Sequence, residues 1–244
     1  MKFITVFFLL ISFCSISNLA NAQTRNLVGL GFSYHKSAIV RMTHENYLPE
    51  GSNDLFSTKD LPTSGYSYAV SYGKVISPSV IFFTGIEKIR LGQNFNLTTI
   101  DFGNYYSSHQ IPSPGTPIYT TKTYDVELKL DYVKVPLTLY WKWMKNRPFG
   151  MFTSFSLDLG ILTSATLIRD GEKTDYKGNL NSKDINYKFH LGVRYDTDNY
   201  LFNLGLGLGN SFSDVEEKEK IGATVQNPAH NLFLGYFFSL NRKF

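Results

Sequence analysis

Cysteine is almost missing from this 244-residue sequence: Cys14 is the only one. It lies just after an apolar run near the start; a single cysteine gives no disulfide framework, and stability has to come from packing, backbone pairing or a membrane. Beyond that run no stretch holds 18 consecutive apolar residues, which excludes a transmembrane helix. Charge of one sign is lacking too. Lys and Arg number 24 against 20 Asp and Glu, and so mild an excess gives no reason to expect nucleic acid as a partner. No spacing of His, Ser, Asp or Glu matches a hydrolase or metal motif, so no catalytic, cofactor or metal residues are assigned. Aromatic residues, by contrast, are plentiful: 16 Tyr and 20 Phe, 16% of the chain with Trp.

The opening "MKFITVFFLLISFCSISNLANA" has Lys2, an apolar run from Phe3 to Phe13, then Ala20 and Ala22 at the positions expected before a cleavage site. It reads as a secretory signal peptide over 1–22, with the run too short to span a bilayer. Phe13 stands before Cys14 where a lipoprotein signal needs a small residue. The expectation is an exported chain, with one domain over 23–244.

Eight segments of that domain are strand-like. Val28, Leu30, Phe32 and Tyr34 alternate with Gly29, Gly31, Ser33 and His35, and Tyr66, Tyr68, Val70 and Tyr72 with Ser67, Ala69, Ser71 and Gly73. The same period of two runs through Phe155–Ile161, Tyr187–Tyr195, Phe202–Leu208 and Leu232–Leu240. The third segment, 80–97, does not separate into two faces. In the fourth, Thr123–Met144, apolar parity flips from even (Val126, Leu128, Leu130) to odd (Val133, Val135, Leu137, Leu139), which predicts a bulge near Tyr132.

Connections alternate in length. Long polar stretches at 42–63, 98–122, 170–185 and 214–227 take turns with "SPS" at 77–79, "KNRP" at 145–148 and "DTDN" at 196–199. An outer-membrane barrel has this order, with short periplasmic turns and longer external loops. A soluble eight-stranded barrel would turn its apolar face inward, and glycines such as Gly205, Gly207 and Gly209 would then form an outer surface where they pack nothing. Inside a narrow barrel they make room. Trp141, Trp143, Tyr195 and Tyr200 near the short turns fit an interfacial aromatic girdle. The predicted fold is all-β, an eight-stranded antiparallel up-and-down transmembrane β-barrel, integral to the outer membrane of a Gram-negative cell envelope.

The signal peptide, the "GLGFSY" first strand, "DYVKVPLTLYWK" and the terminal strand together resemble the Bacteroidota outer-membrane β-barrel family that includes PorT-like proteins. Tyr132–Leu139, "YVKVPLTL", is similar to that family's Tyr-x-x-x-Pro-hydrophobic strand. The resemblance implies the barrel fold and a link to protein secretion. Pro136 needs no chemical role, since a proline belongs at a bulge or an unpaired site.

Eight strands leave a lumen that side chains can fill, which argues against a general diffusion porin. Lys134, Asp158, Lys188, His190 and Arg194 are placed inward, and hairpin counting sets Asp158 between Lys134 and Lys188 as a structural charge cluster. Such charges must pair. The expected function is a non-enzymatic barrel acting through its loops or rim in envelope structure, binding or secretion, with a protein or glycan ligand at the external loops. The alternatives are a narrow selective channel and a barrel-embedded lipid hydrolase, for which His44 and Glu45 are half of an acid–base pair with Ser52 not far along the sequence. Phe244, in parity with the lipid-facing set, resembles the C-terminal aromatic signal read by the outer-membrane assembly machinery; Arg242 stands where that signal has a bulky residue.

Overall fold

The computed structural model describes residues 26–41, 61–101, 120–215 and 229–244. The signal-peptide reading, His44, Glu45, Ser52 and most of three of the long connections lie outside them. Nine strands follow in order: β1 (Asn26–Arg41), β2 (Leu61–Ser77), β3 (Val80–Asp101), β4 (Thr120–Lys142), β5 (Phe149–Arg169), β6 (Glu172–Asp175), β7 (Lys183–Asp196), β8 (Tyr200–Ser211) and β9 (Ala229–Lys243). All pairs are antiparallel. Each barrel strand pairs with the next, β5 with β7 across the short β6, and β9 returns to β1. The barrel is closed with eight strands, and β6 only extends β5 at the loop end.

Closure follows from the outer face. Leu30, Tyr68, Val70, Ile86, Ile161, Leu204, Leu234 and Tyr236 are all more than half exposed. On β4 the outward apolar set runs from Val133 to Trp141. Those eight steps of about 3.3 Å, tilted about 40°, span roughly 20 Å, and flanking rings bring the band near the 25 Å of an outer-membrane barrel. A hydrocarbon surround leaves backbone groups no partner but the chain, so an open edge is excluded.

The inner face is built from small and large residues fitted together. A Cβ on Gly207 would stand 2.5 Å from Cδ2 of His190, and one on Gly209 2.2 Å from Cζ of Phe233. These glycines are the space that the facing rings occupy.

The fourth segment departs from expectation. Even positions face inward on β4 from Val126, Leu128 and Leu130 through Tyr132 and Lys134 to Tyr140. The strand keeps its parity, and the surroundings change instead. Below Tyr132 lipid receives the odd apolar residues. Above it the odd positions carry Glu127, Lys129 and Asp131, and the apolar even residues turn to an internal core. The bulge lies on the partner strand, where Asp131 pairs with Ser164 and Tyr132 with Leu162, leaving Thr163 extra. Pro136 is unpaired on its β3 side and at no bulge: the β3–β4 bridges skip two positions between Thr84↔Leu137 and Glu87↔Lys134 and the register resumes unchanged, while on the β5 side Pro136 stands opposite Asp158.

The 170–185 stretch is more ordered than a solvated loop. After β6 a 3-10 turn at Lys177–Asn179 sends Leu180 into the barrel mouth. Asn181 N–H then donates to Val215 O at 2.9 Å and Leu162 N–H to Ser182 O at 2.8 Å.

Candidate functional site

The lumen is stacked in layers. At the turn end Leu27, Ile81, Tyr140, Phe152 and Leu201 form an apolar floor. Tyr140 and Phe152 are stacked with centroids 4.8 Å apart, and Phe237 meets Phe152 edge-on at 5.6 Å. At the loop end Ile39, Ile89, Leu91, Leu130, Leu162 and Phe233, with Leu180 and Val215, form an apolar roof. Between them lies a cavity of about 160 Å³, walled by Ser33, Ser67, Ser154, Ser156, His35 and His190 and bordered by Glu87 and Lys188.

Five charged side chains cross this middle layer. Lys188 Nζ meets Asp158 Oδ2 at 2.7 Å and also pairs with Glu87. Lys134 Nζ meets Asp184 Oδ2 at 2.5 Å. Hydroxyls complete the shells: Ser156 donates to Asp158, and Ser211 and Ser213 to Asp184, the latter at 3.0 Å. The arrangement differs from an acid between two lysines. Lys188 is the group held between two acids, while Lys134 is drawn across to Asp184 on β7. Ionised groups buried this deeply are tolerated because each has a counter-charge and the acids accept further hydrogen bonds from hydroxyls.

His190 lies inward, outside the ion pairs. Its Nδ1 is 3.1 Å from Ser154 Oγ, and its ring is 4.4 Å from that of Phe237. Among the described residues no carboxylate hydrogen-bonds it, so Ser154 and His190 form a pair with no third member. His35 Nε2–H donates to Arg90 O at 2.9 Å.

Arg194 belongs elsewhere. It is fully buried at the turn end, where Nη2 donates to the carbonyls of Trp143, Met144 and Arg147 at 3.3, 3.0 and 3.2 Å. Its Nη1 is 3.3 Å from Asp196, which also takes Lys142 at 2.7 Å and Lys243. Asp196 thereby ties β4, β7 and β9 together at one rim.

Sequence reasoning missed Glu87, Asp184 and Asp196. Glu87 lies on β3, whose two faces could not be told apart. Asp184 shares the parity of Lys188 four residues on, a usable signal had the segment been started three residues before Tyr187. Asp196 was read as part of a turn.

Phe244 faces outward and is two-thirds exposed. Its N–H donates to Asn26 O at 2.9 Å, and the Arg242 guanidinium lies 5.3 Å from its ring centre.

No protein-family model and no curated sequence matches the chain. Solved outer-membrane barrels are similar to it. Neisserial surface protein A (NspA) is 14% identical over 90% of this chain and 97% of its own, with a TM-score of 0.44. Ail, the attachment invasion locus protein of Yersinia pestis, solved with the heparin analogue sucrose octasulfate, is 8% identical over 90% and 99%, TM-score 0.39. OprG of Pseudomonas aeruginosa is 11% identical over 91% and 96%, TM-score 0.37. What is shared is the architecture, and it is already carried by the closed eight-stranded pairing.

Proposed function

We propose that this chain is an integral outer-membrane protein with a closed lumen, which acts through its external loops and its rims and not by passing solutes. One observation carries the reading: a paired charge layer and a cavity of about 160 Å³ lie between two apolar layers. An ion on that path would have to leave water twice against apolar walls and displace buried ion pairs between. The narrow-channel alternative has to pass both layers. A lipid hydrolase would need its chemistry at the lipid surface, while Ser154 and His190 face the lumen.

On this reading the charge cluster is structural. The loops are the place for a protein or glycan ligand, and the likeness of Tyr132–Leu139 to PorT-like strands makes a part in secretion one form of that binding. Export by a cleaved signal peptide over 1–22 and recognition of Phe244 by the assembly machinery belong to the same proposal.

Reconstitution in planar bilayers is the direct test. The expected result is a baseline without discrete steps over a wide voltage range. Reproducible single-channel steps from the folded, heat-modifiable protein would overturn the closed-lumen reading.

A further inference from the structure

The turn end of the barrel carries an uncompensated positive charge. Lys142 at the end of β4, Lys145 and Arg147 on the β4–β5 connection, Arg194 on β7, and Arg242 and Lys243 on β9 outnumber the acidic side chains of the described residues at this end, Asp196 and Asp198. Asp196 is taken by Lys142, Lys243 and Arg194. Lys145 and Arg147 are exposed and have no ion-pair partner among the described residues.

These two cations stand on a held scaffold. The buried Arg194 fork grips three carbonyls of the turn. Arg147 N–H donates to Met144 O at 3.0 Å, and Met144 sits at φ 56°, a left-handed conformation that a non-glycine residue adopts at some cost. The result is a groove of about 630 Å³ lined by Ser79, Lys142, Trp143, Met144, Lys145 and Arg147. Trp143 and Met144 are each more than half exposed, and Phe149 and Trp141 continue the apolar surface toward the band. Cationic side chains therefore stand at headgroup depth beside rings at the edge of the hydrocarbon.

We infer that this groove binds an anionic glycerophospholipid of the periplasm-facing leaflet, its phosphate on Lys145 and Arg147 and the start of its acyl chains on Trp143 and Phe149. Charge complementarity names the headgroup: basic residues at a membrane surface attract anionic lipid. The neighbouring lipid-exposed rings favour a bilayer lipid over a soluble acidic polymer of the periplasm. The site is independent of the closed lumen, since a conducting barrel would keep the same rim, and its test reads lipid and not current.

The purified full-length barrel in detergent is offered equimolar phosphatidylglycerol and phosphatidylethanolamine, and retained lipid is measured by native mass spectrometry. Wild type is expected to prefer phosphatidylglycerol. The double variant Lys145→Gln/Arg147→Gln changes exposed side chains alone, so its folding is verified by heat-modifiable mobility. At about fivefold per basic residue it should lose roughly twenty-five-fold of that preference. Lys173→Gln, on β6 at the opposite end, should lose none. Equal retention of the two lipids by wild type, or an unchanged preference in the double variant, would overturn the inference. So would a double variant that loses binding to soluble muropeptides while its lipid preference stays intact.

Discussion

Lys134 illustrates how much a single position depends on what lies across the lumen. On the strand it is one polar residue among alternating apolar ones, and its worth comes from Asp184, 50 residues later. Both are buried, and their contact is 2.5 Å. Removing one partner leaves the other charged in a dry layer, which typically costs 3–5 kcal/mol, while replacing both by apolar residues is often close to neutral. Asp184→Asn should therefore lower stability by about 3 kcal/mol. Lys134→Met/Asp184→Leu should recover part of that loss, since Ser211 and Ser213 also lose their acceptor. Urea titration of the barrel in lipid vesicles, followed by tryptophan fluorescence, gives both numbers. A single variant as stable as wild type would mean that water reaches the pair, and the dry middle layer would have to be abandoned.

At the scale of the strand, what could be read in the sequence depended on how many media the strand crosses. Six segments present one outer face to one medium, and their period of two gave the facing of His35, Asp158, Lys188 and Gly207 alike. β3 and β4 cross two media. Their lower outward positions meet lipid and their upper ones meet water, so apolar residues change sides while the backbone does not. That is why β3 hid Glu87 and why a bulge was expected on β4. The true bulge at Thr163 left no trace in apolar parity, because Ser164, Thr166 and Thr163 are all polar enough for either face. The lumen set was readable as facing, but its pairing was not: which lysine reaches which acid depends on strand stagger around a closed circle.

The change of medium along β4 can be measured. Single cysteines are placed in a Cys14→Ser background. Lys129→Cys should react readily with a charged maleimide, since it points outward above the band. Val135→Cys should resist that reagent and accept a lipid-soluble one. Leu130→Cys, fully buried in the roof, should react with neither until the barrel unfolds. Leu130→Cys behaving like Val135→Cys would place that residue in lipid and restore a parity flip on β4.

For the whole molecule, the property that matters is that a barrel has no edge to fray from. β9 pairs with β1 from Leu27↔Lys243 to Arg41↔Ala229 and with β8 on its other side, so its central residues are bonded on both flanks. In lipid a freed carbonyl or N–H finds no water, and each unsatisfied group costs several kcal/mol. A defect at the seam is therefore shared by the whole ring and cannot be confined to one strand end. Phe238 is a suitable place to ask, being outward-facing at mid-strand and paired with Phe32 and Leu204. Phe238→Ala removes lipid contact alone and should leave the fast-migrating unboiled form on a denaturing gel at near wild-type yield. Phe238→Pro also removes a ladder donor and sets a ring against the neighbouring strand, a change tolerated on edge strands but not central ones. It should abolish that form altogether, with no intermediate species. A Phe238→Pro protein that still migrated as the compact form, or one that gave a graded series of bands, would show that β9 can detach while the other strands hold. Closure would then not be the source of the barrel's cooperativity.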